Sequence, residues 1–374
     1  MIPVLWLCGP PGVGKSTLAW RLSTRLRAAG IGAAYADVDQ ISMCFPEQAA
    51  DPGRHLLKAH NVASLVANFA AHGATCVVIS GIVDPARRPT VPGVALTLCR
   101  LRADRDELVR RFVGRSGEEE AVPSVLTDAD DMEASAVTDL CVDTTGLTVS
   151  EALARVSAAT TDWYTATGVP PPAPAFTPAD GQILWVGGVP GVGMSMVGYD
   201  IYQRTLRSGH TMGYLDLRQV GFGARDRVDH QLRAANAAAV WRAYRDLGAD
   251  GLVITGEIDV DSADTHYRQA LPAATLTVCR LHADQPDLAA RILPRGEQTS
   301  WTQPGDPLLG RSTEHLRQVV ERSTAHSEAL DRADIGVRVD SSGLGIAETA
   351  DAVLATGVWP LLTRWAGRPA APRP

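Results

Sequence analysis

"GPPGVGKST" (9–17) follows the apolar run "VLWLC" (4–8) and leads into the helical pattern "KSTLAWRLSTRLRAAG" (15–30). It meets the pattern G-x-x-x-x-G-K-[ST] in full, through Gly9, Gly14, Lys15 and Ser16. A short, unbroken apolar run is expected of a strand buried on both faces. Leu18, Leu22 and Leu26 recur every four residues on one helical face, and Gly30 is placed to end the helix. Between such a strand and helix, glycines let the backbone wrap so that successive N–H groups converge on a phosphate. The helix adds its positive end. Lys15 then supplies a mobile positive charge for β- and γ-phosphates, and Ser16 a hydroxyl for Mg²⁺, with Thr17 alongside. The expected nucleotide-binding residues are Gly9, Pro11, Gly12, Val13, Gly14, Lys15, Ser16 and Thr17.

The stretch recurs. "LWLCGPPGVGKS" (5–16) aligns with "LWVGGVPGVGMS" (184–195), and "YADVDQI" (35–41) with "YLDLRQV" (214–220), both at an offset of 179. "LKAHNVASLVANFAAHGATCVVISGIVD" (57–84) matches "LRAANAAAVWRAYRDLGADGLVITGEID" (232–259) at 175. "LTLCRLRAD" (96–104) matches "LTVCRLHAD" (276–284) at 180, and "VDTTGL" (142–147) answers "VDSSGL" (339–344) at 197. Collinear blocks with slowly drifting offsets imply a tandem duplication, and repeats this long are self-contained domains rather than solenoid units. The expected division is a first domain over 1–164, a proline-rich connector over 165–181, a second domain over 182–360 and a disordered tail over 361–374. Within each copy, strands alternate with helical patterns. The expected fold is therefore α/β, two tandem domains, each with a parallel sheet of about five strands flanked by helices on both faces. Ligands are expected at the carboxyl ends of the strands.

Composition narrows the function. The 374 residues carry a net charge of −7, which argues against a sequence-independent grip on nucleic acid or an anionic membrane. No run approaches the roughly 20 apolar residues of a spanning helix. The opening "MIPVLWLCG" has no basic leader, and six scattered cysteines form no C-x-x-C pair, so a reducing cytoplasm is the expected compartment. No N-K-x-D guanine motif is present, and the copies are too short for the helical lid of an AAA+ motor.

From these residues onward the chain resembles the shikimate kinase and gluconate kinase group of adenylate-kinase-like P-loop kinases, over 3–160 and more weakly over 182–357. By that resemblance, Asp37 of "DVD" (37–39) helps Ser16 hold Mg²⁺, and Asp39 takes the proton from the accepting hydroxyl. A pair of helix-capping aspartates is the plain alternative. "SGIVD" (80–84) offers Gly81 and Asp84 as substrate contacts, with an ordinary turn aspartate as the equal alternative for Asp84. "LRADRDELVRRFVGR" (101–115) resembles the helix that leads into a lid. Arg115, and after it Arg111, would reach the γ-phosphate there, unless they are merely exposed helix arginines. The acidic "SGEEEAV" (116–122) departs from the group's second lid arginine. "VDTTGLTVSEAL" (142–153) resembles the segment lining the adenine, through Thr144, Thr145 and Gly146, or is a plain strand–turn–helix connection. "CFPEQAADPGRHLLKAH" (44–60) offers Arg54, His55, Lys58 and His60 to an anionic acceptor, or is a solvated helix start.

In the second copy Met194 stands where Lys15 stands, and Arg218 where Asp39 stands, while Ser195, Asp216 and Asp259 persist. A thioether neither carries charge nor donates a hydrogen bond, so this copy reads as a pseudokinase-like domain. It is kept for its shape as one half of an internal dimer, or for weak nucleotide binding through Gly188, Gly191 and Gly193. Its stretch 295–315 lies where a lid would. The expected function is an ATP- and Mg²⁺-dependent phosphotransferase acting on a small hydroxylated molecule through the first copy. Its catalytic residues would be Lys15, Asp39 and Arg115, with Asp39, Arg54, Gly81 and Asp84 facing the substrate. The alternative is an ATP-binding regulatory or sensor protein with weak ATPase activity and no acceptor. Expected partners are a nucleoside triphosphate and a small-molecule acceptor, without nucleic acid or membrane.

Overall fold

The structure is a computed structural model that describes residues 1–165, 177–225, 227–260, 263–297 and 305–363. The first half runs β1 (Ile2–Cys8), α1 (Lys15–Ala28), β2 (Ala33–Asp37), β3 (Cys44–Phe45), α2 (His55–Ala71) and β4 (Cys76–Ser80). It continues through β5 (Val94–Arg102), α3 (Arg105–Ser116), α4 (Val122–Ala134), β6 (Leu140–Asp143) and α5 (Val149–Ala159). The second half runs β7 (Gly181–Gly188), α6 (Met194–Arg207), β8 (Met212–Asp216), α7 (His230–Asp246), β9 (Gly251–Glu257) and α8 (Arg268–Ala270). After it come β10 (Ala274–His282), α9 (Gln285–Ile292), α10 (Thr313–Ala333), β11 (Val337–Asp340), α11 (Ile346–Ala355) and α12 (Pro360–Thr363).

Two sheets result, each with its glycine loop at the end of a central strand. The first has the order β2-β4-β1-β5-β6 and is parallel throughout. Every residue of β1 is buried, because its alternate side chains enter two different cores. Leu5 and Leu7 pack with Leu18, Leu22 and Leu26 of α1 and with Leu108 and Val156. Val4, Trp6 and Cys8 belong to the core that holds Val62, Leu65 and Phe69 of α2. The second sheet has the order β11-β10-β7-β9-β8-β3. Five of its strands are parallel, as expected, and a sixth is added to them. β3 comes from the first half and pairs antiparallel with β8, Cys44 opposite Gly213 and Phe45 opposite Met212.

That exchange is reciprocal. An edge strand leaves a row of backbone groups unpaired, and each half covers the other's edge. The Tyr214 N–H donates to Met43 O at 2.9 Å, and the Tyr35 N–H donates to Phe222 O, also at 2.9 Å. Tyr35 and Tyr214, like Met43 and Phe222, are 179 residues apart. Between the sheets α2 packs against α7, where Asn68 Nδ2 donates to Asn236 Oδ1 at 2.9 Å in a buried contact. One hydrophobic core runs from β1 and α2 through β7, α7 and β9. Most of the proline-rich connector (166–176), most of the tail (364–374) and the middle of the lid-like stretch (298–304) lie outside the described residues.

Candidate nucleotide and acceptor site

The first glycine loop closes around open space. Gly9, Gly12 and Gly14 have φ of 141°, 85° and 98°, backbone that side-chain-bearing residues rarely adopt. A Cβ on Gly9 would lie 2.4 Å from Leu101 O, so the loop must lie against β5 there. Nothing lies within 4 Å of a Cβ on Gly14, so only its backbone conformation calls for glycine. Lys15 opens α1, is buried, and donates from Nζ to Pro10 O at 2.9 Å. Burial pushes its ammonium below the usual lysine range, against the pull of Asp39 and Asp37.

Asp37 ends β2 beside the loop. Its Oδ2 accepts from Ser16 Oγ at 2.6 Å and from Ser80 Oγ at 2.9 Å, and its Oδ1 from the Asp39 N–H at 3.1 Å. Burial raises its pKa above the ordinary aspartate value, and the neighbouring Asp39 raises it further. A serine hydroxyl and a carboxylate held together offer hard oxygen donors, which suits Mg²⁺. Asp39 points the other way. Its Oδ1 pairs with Lys58 Nζ at 2.9 Å and its Oδ2 accepts from the Ile82 N–H at 3.3 Å. Lys58 is itself buried, so the pair fixes the carboxylate at the cavity wall.

A cavity of about 570 Å³ brings Gly9, Pro11, Lys15, Ser16, Asp37, Asp39, Arg54 and Arg115 together. His55 and Lys58 line it as well, whereas His60 is exposed and outside the lining. Burial and the nearby Lys58 hold the His55 ring below its ordinary pKa. Arg54 is committed to Glu47 at 3.0 Å and to Ser42 O at 2.6 Å. Gly12, Val13, Gly14 and Thr17 belong to the loop and the first turn of α1 without lining this cavity. Gly81 sits at the end of β4 with φ 145°, and a Cβ there would meet Val38 Cγ2 at 2.2 Å. It permits the close approach of β4 to the Asp39 segment. Asp84 forms a turn, accepting from the Ala86 N–H at 2.8 Å, and sits between the lining residues Val83 and Pro85 without lining the cavity itself.

The two α3 arginines separate. Arg111 donates to Thr144 Oγ1 at 3.0 Å and to Thr144 O at 2.8 Å, tying α3 to the β6 turn, while Arg115 faces the cavity. Thr144 is buried, Thr145 Oγ1 accepts from the Asp104 N–H at 2.9 Å, and neither they nor Gly146 line the cavity. In the second half, the residues lining the equivalent cradle just after the matching turn are Leu344, Gly345 and Ile346. These correspond to Leu147, Thr148 and Val149 in the first.

Sequence reasoning missed the opposite wall. Asp128, Asp131 and Met132 of α4 line the cavity in place of the absent lid arginine, and burial raises the Asp128 pKa. The available signal was the helical spacing of Val125, Asp128 and Met132, one face of α4.

The second half repeats much of the framework. Ser195 Oγ donates to Asp216 Oδ2 at 3.0 Å, and Trp185 Nε1 donates to Gly256 O at 3.2 Å, as Trp6 Nε1 does to Gly81 O. Gly188, Gly191 and Gly193 keep φ of 154°, 86° and 94°. Met194 is buried where Lys15 is.

Fold and loop together define a P-loop nucleoside-triphosphate-binding architecture, present in both halves. An AAA-domain family model matches residues 5–134. No curated protein matches the chain. Among solved structures, the tunicamycin resistance protein of Deinococcus radiodurans is similar at 21% identity, covering 42% of this chain and 95% of that one with a TM-score of 0.33. A gluconokinase from Sinorhizobium meliloti 1021 is similar at 19% identity, covering 50% and 93% with a TM-score of 0.31. Shikimate kinase from Aquifex aeolicus is similar at 12% identity, covering 50% and 99% with a TM-score of 0.26. At these identities and scores the likenesses lend no activity to this chain. Among the described residues no helix is long and apolar enough to cross a membrane.

Proposed function

We propose that this chain is an ATP- and Mg²⁺-dependent phosphotransferase that acts on a small hydroxylated molecule through its first half. The observation that carries the reading is the division of labour between two aspartates two residues apart. Asp37 is turned to the Ser16 hydroxyl, whereas Asp39, which lines the same cavity, is paired with Lys58. A purely structural capping pair has no need of a buried lysine on its second member.

In this reading the triphosphate tail lies in the loop, and Lys15 exchanges Pro10 O for β- and γ-phosphate oxygens. Ser16 and Asp37 hold Mg²⁺, which when bound neutralises charge on the phosphates. Asp39 orients the acceptor hydroxyl and accepts its proton as the oxygen attacks the γ-phosphorus. Arg115 supplies positive charge as the bond to the leaving ADP lengthens. Asp128 and Asp131 face the acceptor from α4 and accept hydrogen bonds from its remaining hydroxyl groups. The second half, with Met194 and Arg218 at the matching positions, transfers no phosphate and serves as a structural partner.

The test is ATP turnover by the full chain with and without fractions of a small-molecule extract. Stimulation by one fraction, with transfer of label from γ-phosphate to a small molecule and loss in Lys15→Ala, supports the reading. Tight ATP binding with no stimulated turnover in any fraction would favour a nucleotide sensor instead. The doubled loop gives that second reading its one specific support.

A further inference from the structure

Opposite the glycine loop the second half has gained positive charge. Where the first half pairs Asp39 with Lys58, the corresponding residues are Arg218 and Arg233, 179 and 175 positions on. Both line a cavity of about 590 Å³ at the junction of the halves, with Arg225, Arg227, Arg311 and Arg322. Among the described residues none of these six forms an ion pair, and the Nε of Arg233 is buried without a hydrogen-bond partner. Among the described residues Glu257 is the sole carboxylate in the lining. Trp20 of α1 and Phe222, their ring centroids 4.7 Å apart, form an apolar wall from both halves.

The neighbouring loop of the same half lacks the lysine charge of the first. Met194 carries no charge, Arg295 is paired with Asp306, and Arg291 is spent on Val192 O and on Ser341. Those six guanidinium groups, with Arg27 beside them, line one open basin and repel each other, and a bound polyanion relieves that repulsion. Guanidinium forks match phosphate oxygens two at a time. The volume lies within the range of small-molecule pockets.

We propose that this basin is a second ligand site, which binds a small phosphorylated molecule carrying at least two negative charges. It is separate from the nucleotide cradle of the first half, so it stands whether or not the first half transfers phosphate.

The test is calorimetric titration of the full chain with inorganic pyrophosphate in phosphate-free buffer at low salt. Three variants are titrated beside it: Lys15→Ala, Arg218→Ser with Arg233→Ser, and the exposed pair Arg225→Ser with Arg322→Ser. The expected result is saturable binding that survives Lys15→Ala, weakens about 10-fold or more in each arginine double variant, and falls as salt rises. Thermal melts identify any variant that fails to fold, and the exposed pair covers the case in which Arg233 is needed for folding. Absence of saturable binding by the unaltered chain overturns the proposal. So does binding that disappears with Lys15→Ala while both arginine variants keep it.

Discussion

Lys15 is the residue on which the first cavity turns, and its burial makes it costly when no phosphate is bound. Because burial lowers its pKa, the unfolded chain binds more protons than the folded one between the folded and unfolded pKa values. Stability therefore rises with pH across that window, and the full cost is present below it. Lys15→Met, which copies position 194, should reduce ATP turnover by about 10²-fold or more. The same change should raise the thermal midpoint at neutral pH, by an amount that shrinks as pH climbs. A midpoint that falls at neutral pH would contradict this account of the lysine. Asp39→Asn should lower kcat by about 10²- to 10⁴-fold while leaving ATP affinity within a few-fold, read by single-turnover kinetics and by titration. The arginines divide similarly. Arg115→Ala is expected to lower kcat about 10- to 10³-fold, whereas Arg111→Ala should mainly lower the melting temperature, since it frees the Thr144 turn. Equal kinetic effects from both would refute that division. The identities of Lys15, Ser16 and Asp37 were legible because a strand, a loop and a helix lie within a few dozen residues and carry a local pattern. The Asp39–Lys58 pair was not legible as a pair, since it joins the end of β2 to a helix reached only after an irregular stretch.

At the scale of elements, Gly81 shows how closely β4 and the Asp39 segment must approach. Gly81→Ala would combine a strained backbone with a Cβ 2.2 Å from Val38 Cγ2. A loss of about 2–4 kcal/mol is expected, with turnover reduced in the molecules that remain folded. Denaturant midpoints unchanged within error would remove the claim that β4 presses on Asp39. The strands and helices flanking the loop were readable from periodicity, as with Leu18, Leu22 and Leu26, all buried as their spacing implies. β3 was not readable. Two residues carry no periodicity, and their strand character comes wholly from the β8 edge they meet.

For the whole molecule, the shared core and the crossed edges make each half the other's cover. Val62, Leu65 and Phe69 belong to a core that also holds Leu232, Val240 and Trp241. A chain ending at residue 165 would expose this apolar face of α2 and the unpaired edge of β2. It is expected to aggregate or to lack a cooperative unfolding transition, measurable by circular dichroism and sedimentation. A monomeric fragment melting as sharply as the full chain would show the halves to be independent.

Local order and spacing alone determined the glycine loop with its lysine and serine, the alternation that makes parallel sheets, and the loss of lysine at Met194. Each rests on residues near in the chain, where backbone geometry turns sequence distance directly into position. Tertiary structure decided which residues face one another. It brought Asp128 and Asp131 of α4 over the cavity, gave Arg111 and Arg115 different duties, and gathered Arg218, Arg233 and Arg322 into one basin. Those convergences depend on how distant helices pack on a sheet, and no local pattern of charge or apolarity encodes that packing.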